Sequence, residues 1–383
     1  MQPTEWQYRP DLSLETIEAT LQHFQDRLPE VEVGIFALVC EQEGDAAVAL
    51  LQKAASDAGL PLIGAVVPGL IVGAKFQRQG VLLGTFAATT PRQIFHFSYQ
   101  DQHVTDLAIA SLSDFITQHA DENGADTLFL LVDAMIPKIT SMLDQLYLDS
   151  GDQVNYVGTC VGSETFQPMP CLFDNQSFVE AGVCALVLHQ HPGAALAHHY
   201  RGNESLWVAT ATAGSYVKCI DGRPAFEVYQ QLMASEYGIA LDRENFYRYA
   251  VHFPFALNRA HGQSIVRIPV LVEEDGSVYC SGEVPENALL SVVRAISPGS
   301  LETVQEIGAW MRSHPTENSV LAFYCAGRLM HLGTEAGVTE LAALADELTP
   351  TPLFGALSLG EIGSGRRHYP ALHNAMVVAL PWI

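Results

Sequence analysis

The chain has 383 residues and a formal net charge of −24, with 19 Lys and Arg against 43 Asp and Glu. This charge disfavours nucleic acid and anionic membranes as partners, because both bind through clustered basic side chains.

The N-terminal residues lack the basic and apolar regions of a secretory signal. The apolar stretch at 58–74 is shorter than the ~20 residues of a membrane helix. The seven cysteines include no CxxC pair, which is typical of reduced thiols. We therefore expect a soluble, cytoplasmic protein without membrane insertion.

The first part of the chain alternates helical patterns with short apolar runs. Residues 11–28 are amphipathic, with Ser13 as the predicted cap, and a buried strand ends at Cys40. Further along, the pattern predicts strands at 62–72, 80–88, 92–99, 127–133, 156–165 and 172–173 and helices at 105–119 and 137–149. The turn DNQS pairs the last of these strands with one at 178–189. The consecutive strands at 80–88 and 92–99 are predicted to form a hairpin, which disfavours a purely parallel sheet.

The stretch HQHPGAALAHHYRGN at 189–203 is the predicted domain boundary, since it holds a proline, two glycines and four histidines. It divides the chain into domains 1–203 and 204–383. The second domain is predicted to contain strands around 205–211, 217–220, 265–272 and 277–281 and helices at 224–236, 287–296 and 301–313. Strands interleaved with helices predict the α/β class, with mixed α+β layers.

One motif occurs near each end of the chain. Residues 61–69 read PLIGAVVPG and residues 352–360 read PLFGALSLG, and each follows a buried strand and a helical pattern. A weaker third copy of the pattern, YVGTCVG, begins at Tyr156. The repeat is therefore a βαβ unit that ends in a glycine turn, and it predicts two related domains, each a mixed sheet flanked by helices. A ligand site where the two domains face each other is the leading functional hypothesis.

The repeat and its surroundings resemble the FIST-domain family, which has an N-terminal and a C-terminal region. The resembling segments are PLIGAVVPGLIVGAKF and YVGTCVGSETF in the first domain, and DGRPAFEVY, FYCAGRLMHLG, PLFGALSLGEIGS and HNAMVVAL in the second. The resemblance covers nearly the whole chain. It places Cys325 and Arg328 on a Cys-x-x-Arg motif, and Glu361 and Asn374 on a later pattern. Leu70 stands where many bacterial members carry an acid, whereas Glu361 retains the acid in the second copy.

The resemblance implies a sensory module that binds a small ligand, amino acids being among those proposed. Some members of the family carry haem and sense nitric oxide, and others are recognition parts of ubiquitin ligases. The sequence shows no kinase, cyclase or DNA-binding segment, so we expect the signal to pass to a separate protein, such as a histidine kinase or another effector.

The chemistry of two residues suits a zwitterion such as an amino acid. The guanidinium of Arg328 offers two parallel donors to a ligand carboxylate, and Glu361 can accept from a ligand ammonium. We expect the ligand between the two domains near this pair, with Cys325, Asn374, Gly69, Gly360 and His331 around it. A purely structural alternative is equally open, in which Arg328 and Glu361 pair with each other. Likewise, Gly69 and Gly360 either admit a ligand or permit tight packing.

Two other classes of function stay open. A haem-based nitric oxide sensor would need an axial histidine, and the candidates are His189, His191, His252 and His331, although no haem attachment motif or metal-binding set is present. A thiol enzyme would need Cys325 activated by His331 or His368. Because Cys325 ends a strongly apolar strand, a buried thiol is the better interpretation, and we expect neither catalysis nor a resident cofactor.

Overall fold

The computed structural model describes residues 3–121, 126–202, 205–259, 264–294, 300–364 and 369–382. The predicted boundary between residues 203 and 204 and the histidine at 368 lie outside this part of the chain. The predicted fold class is confirmed: the described residues form mixed sheets flanked by helices. No helix in the described ranges is long and apolar enough to cross a membrane.

The described elements fall into three units of similar order and one insert. Unit 1 contains β1 (Trp6–Arg9), α1 (Leu14–Arg27), β2 (Val33–Cys40), α2 (Gly44–Asp57), β3 (Leu62–Val67), β4 (Leu70–Val72), β5 (Lys75–Gln77) and β6 (Val81–Ala87). Unit 2 contains β7 (Arg92–His96), α3 (Gln102–His119), β8 (Asp126–Asp133), α4 (Ile139–Ser150), β9 (Val154–Val161), β10 (Leu172–Asp174), β11 (Phe178–Val179) and β12 (Gly182–Leu188).

Unit 3 begins with β13 (Ala195–Ala197) and is interrupted by the insert. The insert contains β14 (Arg201–Gly202), β15 (Trp207–Ala213), β16 (Tyr216–Ile220), β17 (Arg223–Pro224), α5 (Ala225–Tyr237), α6 (Phe246–Ala250), β18 (Phe255–Leu257), β19 (Ile265–Arg267), β20 (Pro269–Val272), β21 (Val278–Cys280) and β22 (Leu289–Arg294). Unit 3 resumes with α7 (Glu302–Ser313), β23 (Ser319–Cys325), α8 (Ala326–Leu332), α9 (Thr334–Leu348), β24 (Leu353–Ser358), β25 (Gly360–Ser364), β26 (Pro370–His373) and β27 (Val377–Trp382).

The three units build three six-stranded sheets with one common strand order. The orders are β1-β6-β2-β3-β10-β11, β7-β12-β8-β9-β25-β26 and β13-β27-β23-β24-β4-β5. In each sheet one central pair is parallel (β2 with β3, β8 with β9, β23 with β24) and the other pairs are antiparallel. The parallel pair is the βαβ unit that the repeated motif predicts, because a helix must carry the chain back between parallel strands.

The last two strands of each sheet form an arm that another unit supplies. Unit 2 supplies β10 and β11 to the sheet of unit 1, and unit 3 supplies β25 and β26 to the sheet of unit 2. Unit 1 in turn supplies β4 and β5 to the sheet of unit 3. The exchange of arms is therefore a closed cycle, and it ties the chain before the predicted boundary to the chain after it through backbone hydrogen bonds.

A glycine marks the same point of each parallel pair. A Cβ atom added to Gly64, Gly158 or Gly355 would lie 2.3, 2.1 or 1.7 Å from the carbonyl oxygen of the residue opposite it. No side chain fits at that separation, so each of these positions requires glycine for close strand contact. The PLIGA and PLFGA motifs thus fix the packing of the sheets in units 1 and 3.

Aromatic side chains from all three units meet in one core. The ring centre of Trp382 lies 4.8 Å from that of Phe36 and 5.9 Å from that of Phe129. The rings of Phe129 and Phe323 are stacked, with their centres 5.9 Å apart. The indole N–H of Trp382 donates to the carbonyl of Thr85 at 2.8 Å. Because apolar burial is the main favourable term in folding, this shared core is what joins the units.

Two local predictions are wrong. The predicted helix at 287–296 is strand β22, whose valines at 292 and 293 are buried and which pairs with β15 and β18. Pairing and burial on a sheet here override a weak helical pattern. The predicted hairpin of 80–88 with 92–99 does not form, because β6 pairs with β1 and β2 whereas β7 pairs with β12 in another sheet.

The insert forms a separate nine-stranded sheet with its own apolar core. It is fastened to unit 3 by Arg267, which is fully buried. The guanidinium donates from Nη1 to the carbonyl of Leu372 at 3.0 Å and from Nε to the carbonyl of Glu283 at 2.9 Å. The insert therefore packs beside β26, next to the strand that carries Glu361.

Candidate functional site

The side chain of Glu361 lies in the arm that unit 3 adds to the sheet of unit 2. Glu361 is the second residue of β25, opposite Thr159 of β9 on one side and His373 of β26 on the other. Its exposed fraction is 0%. Burying a carboxyl group is costly unless it finds a charge partner or several donors, so the contacts of Glu361 decide what it does.

The other two units carry leucine at the position of Glu361. In each sheet, the residue after the close-contact glycine pairs with one residue of the arm that another unit supplies. These pairs are Ala65 with Leu172, Ala356 with Leu70, and Thr159 with Glu361. Leu70 and Leu172 are also 0% exposed. The fold therefore accepts an aliphatic side chain at the equivalent positions of the other two units.

Three donors of the protein reach the Glu361 carboxyl group. Ser358 donates its hydroxyl to Oε1, the backbone N–H of Met376 lies 3.2 Å from Oε2, and the thiol of Cys325 also bonds to the group. No cationic side chain among the described residues forms an ion pair with it. Burial is the main cause that raises the pKa of Glu361 to about 8, so the carboxyl group is mostly neutral at pH 7.

Arg328 is held by a different acid from the one that the sequence suggested. Its guanidinium bonds Glu340 at two points, Nε to Oε2 at 2.8 Å and Nη2 to Oε1 at 2.6 Å. The alternative in which Arg328 pairs with Glu361 is therefore not the arrangement found. Both Arg328 and Glu340 are buried, and Tyr324 donates its hydroxyl to Oε2 of Glu340 at 2.5 Å.

The remaining donors of Arg328 also bond within the protein. Nη1 lies 3.0 Å from the carbonyl oxygens of His198 and Ala375, and Nη2 lies 3.0 Å from the hydroxyl of Thr303. All five N–H groups of a guanidinium thus have acceptors, and none is left for a ligand carboxylate in this conformation. Arg328 instead fixes the turn at Ala375, which precedes the Met376 N–H bound to Glu361.

The turn after β26 leaves polar atoms without partners. Asn374 and His373 are buried, and among the described residues neither Oδ1 of Asn374 nor Nδ1 of His373 has a hydrogen-bond partner. His373 is the register partner of Glu361, and burial lowers the pKa of His373 to about 3. Because buried polar atoms in native proteins are nearly always bonded, both atoms are available for a hydrogen bond beside Glu361.

Cys325 lies at the inner end of the same cluster. Its sulfur accepts the backbone N–H of Ala375 at 3.1 Å. Burial raises the pKa of the Cys325 thiol, which opposes formation of a thiolate nucleophile. The residues Glu361, Ser358, Cys325, His373 and Asn374 are called the Glu361 site below.

The predicted glycines and His331 lie outside this cluster of polar contacts. A Cβ atom on Gly69 would meet Leu357 Cδ1 at 3.1 Å, and one on Gly360 would meet Leu372 Cδ1 at 3.1 Å. Both positions are thus tight packing contacts within the protein. His331 contacts His252 of the insert instead, with 3.0 Å between their Nδ1 atoms.

Comparison with known families settles the class of the protein. Residues 33–223 match the FIST N domain and residues 225–364 match the FIST C domain. The chain belongs to the FIST-domain family. Domains of this family are generally thought to be small-ligand sensory domains in signal transduction. No curated protein sequence matches the chain.

The histidines proposed for haem in this FIST-domain protein are engaged with the protein. His191 uses both ring nitrogens, Nδ1 with Thr127 and Nε2 with the carbonyl of Pro381, so it has none left for iron. His189 bonds Asp126 through Nδ1 at 2.9 Å. Together with the Nδ1 contact between His252 and His331, this leaves only the Nε2 atoms of three histidines as candidate haem ligands. An axial histidine commonly binds iron through one ring nitrogen while the other bonds to the protein, so the haem alternative stays a prediction for His189, His252 and His331.

Several residues around Glu361 and Arg328, among them Ser358, Glu340 and Thr303, have no counterpart in the sequence prediction. Ser358 could have been found, because the two motif copies differ in polarity at this position, where the first copy has Val67. Glu340 and Thr303 carried no such signal. They lie on amphipathic helices where a carboxylate or hydroxyl normally faces solvent, and only the folded chain shows that they face Arg328.

Proposed function

We propose that this FIST-domain protein senses a small polar ligand that binds at the Glu361 site, between the arm of unit 3 and the sheet of unit 2. The observation that carries the proposal is the buried carboxyl group at a position where the other two units hold Leu70 and Leu172. Removing a carboxyl group from water costs several kcal/mol. Buried ionisable groups with strongly shifted pKa values cluster at functional sites.

The acceptors that the site offers indicate the class of ligand. Glu361, the Oδ1 atom of Asn374 and the unpartnered Nδ1 atom of His373 can all accept hydrogen bonds. A ligand ammonium supplies three donors at one centre, and its charge would stabilise an ionised Glu361. An amine-bearing compound of amino-acid size is therefore the ligand class that we propose.

Arg328 has a positioning role in this proposal. Its donors are occupied by Glu340, Thr303 and two carbonyl groups, so it holds the turn that presents Asn374 and the Met376 N–H. The carboxylate of an amino acid would therefore need other donors of the site, or a rearrangement that releases Arg328 from Glu340.

The route of the signal follows from the position of the site. Glu361 lies on an arm that crosses between two units, and the insert packs against the neighbouring strand through Arg267. A ligand that bonds to Glu361 on this arm would change how the arm of unit 3 pairs with β9 of unit 2. We assign the output to a separate cytoplasmic effector, such as a histidine kinase, and assign no catalysis to Cys325.

The proposal is tested by identifying the small molecules that the purified protein carries. The protein is denatured, and the released compounds are analysed by mass spectrometry beside those from a Glu361→Leu variant. A matched control is Glu335→Leu, which replaces an exposed carboxylate on α9. We expect a stoichiometric amine-bearing compound from the wild type and the control, and none from Glu361→Leu. Equal amounts from all three proteins would contradict the assignment, and release of protoporphyrin would favour the haem alternative.

A further inference from the structure

A polar groove lies between unit 1 and unit 2 and shares no residue with the Glu361 site. Its volume is about 490 Å³. The walls are the start of β3, the connection from β6 to β7, the end of α3 and the turn between β10 and β11. Two charged side chains of opposite sign, Arg92 and Asp174, line it.

Arg92 carries a half-buried guanidinium group on the wall of this groove. Its Nη1 atom donates to the carbonyl oxygens of Ala88 at 2.9 Å and Thr90 at 3.0 Å, and the guanidinium carbon lies 5.3 Å from the centre of the Phe86 ring. Within the described chain, its Nε and Nη2 atoms have no acceptor and no carboxylate pairs with it. Burial lowers the pKa of Arg92, because the charge has lost water without gaining an anion.

Asp174 is held rigidly on the opposite wall. Its Oδ1 atom accepts the backbone N–H groups of Gln176 at 2.8 Å and Ser177 at 2.7 Å. Its Oδ2 atom has no donor from any residue that the structure describes. The negative charge of Asp174 acts to raise the pKa of Arg92 and so partly opposes the effect of burial. The two side chains nevertheless form no ion pair. The backbone thus keeps a cation and an anion apart across the groove.

We propose that this groove binds a small organic monocarboxylate whose far end carries a hydrogen-bond donor. The ligand carboxylate pairs with Nε and Nη2 of Arg92, a two-point geometry that suits a guanidinium. The donor at the other end bonds to Oδ2 of Asp174. A dicarboxylate of the same length is rejected, because its second charge would face Asp174.

Three probes of similar length test the proposal by ligand-observed NMR saturation transfer. The probes are 4-hydroxybutyrate, butyrate and succinate, whose far ends are a donor hydroxyl, a methyl group and a second carboxylate. We expect 4-hydroxybutyrate to bind more tightly than butyrate, and succinate to bind most weakly. Equal binding of the three probes, or binding of none at millimolar concentration, overturns the proposal.

Two variants and one control assign the binding to the groove. Arg92→Gln should weaken 4-hydroxybutyrate roughly tenfold or more, as loss of a charge-assisted pair predicts. Asp174→Asn retains the Oδ1 acceptor and should increase succinate binding, a gain that unfolding cannot produce. Arg201→Gln, an arginine of the insert whose side chain is 71% exposed, should change nothing. Unchanged probe binding in Arg92→Gln, or unchanged succinate binding in Asp174→Asn, would overturn the proposal.

Discussion

Arg328 and Glu340 form a two-point ion pair inside unit 3, with N–O distances of 2.8 and 2.6 Å. Arg328 is 0% exposed and Glu340 is 7% exposed. The pair joins α8 to α9, and Arg328 also holds the carbonyl groups of His198 and Ala375. The ion pair therefore stabilises the turn at Ala375, beside Glu361, without being part of the proposed ligand site.

Removing one partner of this pair should be strongly destabilising. Glu340→Gln leaves a buried guanidinium without its counter-charge, which costs about 3–5 kcal/mol. The free energy of unfolding, measured in urea, checks this value. Glu335→Gln on the same helix is the control, and its exposed side chain should change the free energy by less than about 0.5 kcal/mol. A similarly small effect of Glu340→Gln would show that the pair is not structural.

Glu361→Leu should stabilise the protein, because Leu70 and Leu172 occupy the matching positions in the other units. The expected gain is about 1–4 kcal/mol above pH 8, where the buried carboxyl group is ionised without a cationic partner. Folded Glu361 has a pKa raised to about 8 from an ordinary 4.5. The protonated carboxyl group is the form that the folded protein favours. The stability that this preference contributes is complete below pH 4.5 and is lost as the pH rises through 8.

The gain from Glu361→Leu should therefore grow between pH 4.5 and 8 and then level off. Chemical denaturation of the wild type and the variant at several pH values measures this difference. A difference in the free energy of unfolding that stays constant over this range would mean that Glu361 is ionised in the folded protein throughout. Destabilisation by Glu361→Leu would mean that the carboxyl group is structural.

Part of this architecture was predictable from the sequence, because local residue patterns indicate where strands and glycine turns form. The PLIGA and PLFGA motifs place Gly64 and Gly355 at equivalent points of two sheets, and the comparison of Leu70 with Glu361 singles out the acid. The exchange of arms was not predictable, since pairing such as that of β4 with β24 joins segments about 285 residues apart in sequence. The helical pattern alone also could not show that Glu340 faces the core. There Glu340, and not the predicted Glu361, forms the ion pair with Arg328.

Acid should destabilise the protein through its buried histidines. Burial lowers the pKa of His191, His198 and His331 to about 4 from an ordinary 6.5. The unfolded chain binds protons on these residues first, so their contribution is complete above pH 6.5 and is lost as the pH falls towards 4. We expect a loss of at least about 2 kcal/mol over this interval.

Thermal unfolding at a series of pH values measures the acid sensitivity. His331→Gln should reduce the slope of stability against pH between 6.5 and 4. His23→Gln, at an exposed position of α1, should leave the slope unchanged. The same slope in wild type and His331→Gln would exclude His331 from the acid response.

Binding of an amine at the Glu361 site should release a proton. The carboxyl group is mostly protonated at pH 7 when the site is empty, and a ligand ammonium favours its ionised form. Calorimetric titration with the extracted compound in phosphate and in Tris buffer should therefore give heats that differ by the release of about one proton. Equal heats in the two buffers at pH 7 would contradict this linkage.

Native mass spectrometry of the intact protein tests the central claim most directly. The wild type, Glu361→Leu and Glu335→Leu are purified in parallel and compared for bound mass. We predict the same small-molecule adduct on the wild type and Glu335→Leu, and a fully folded Glu361→Leu protein without it. An adduct of equal mass and occupancy on Glu361→Leu would place the ligand elsewhere and contradict the assignment of the site.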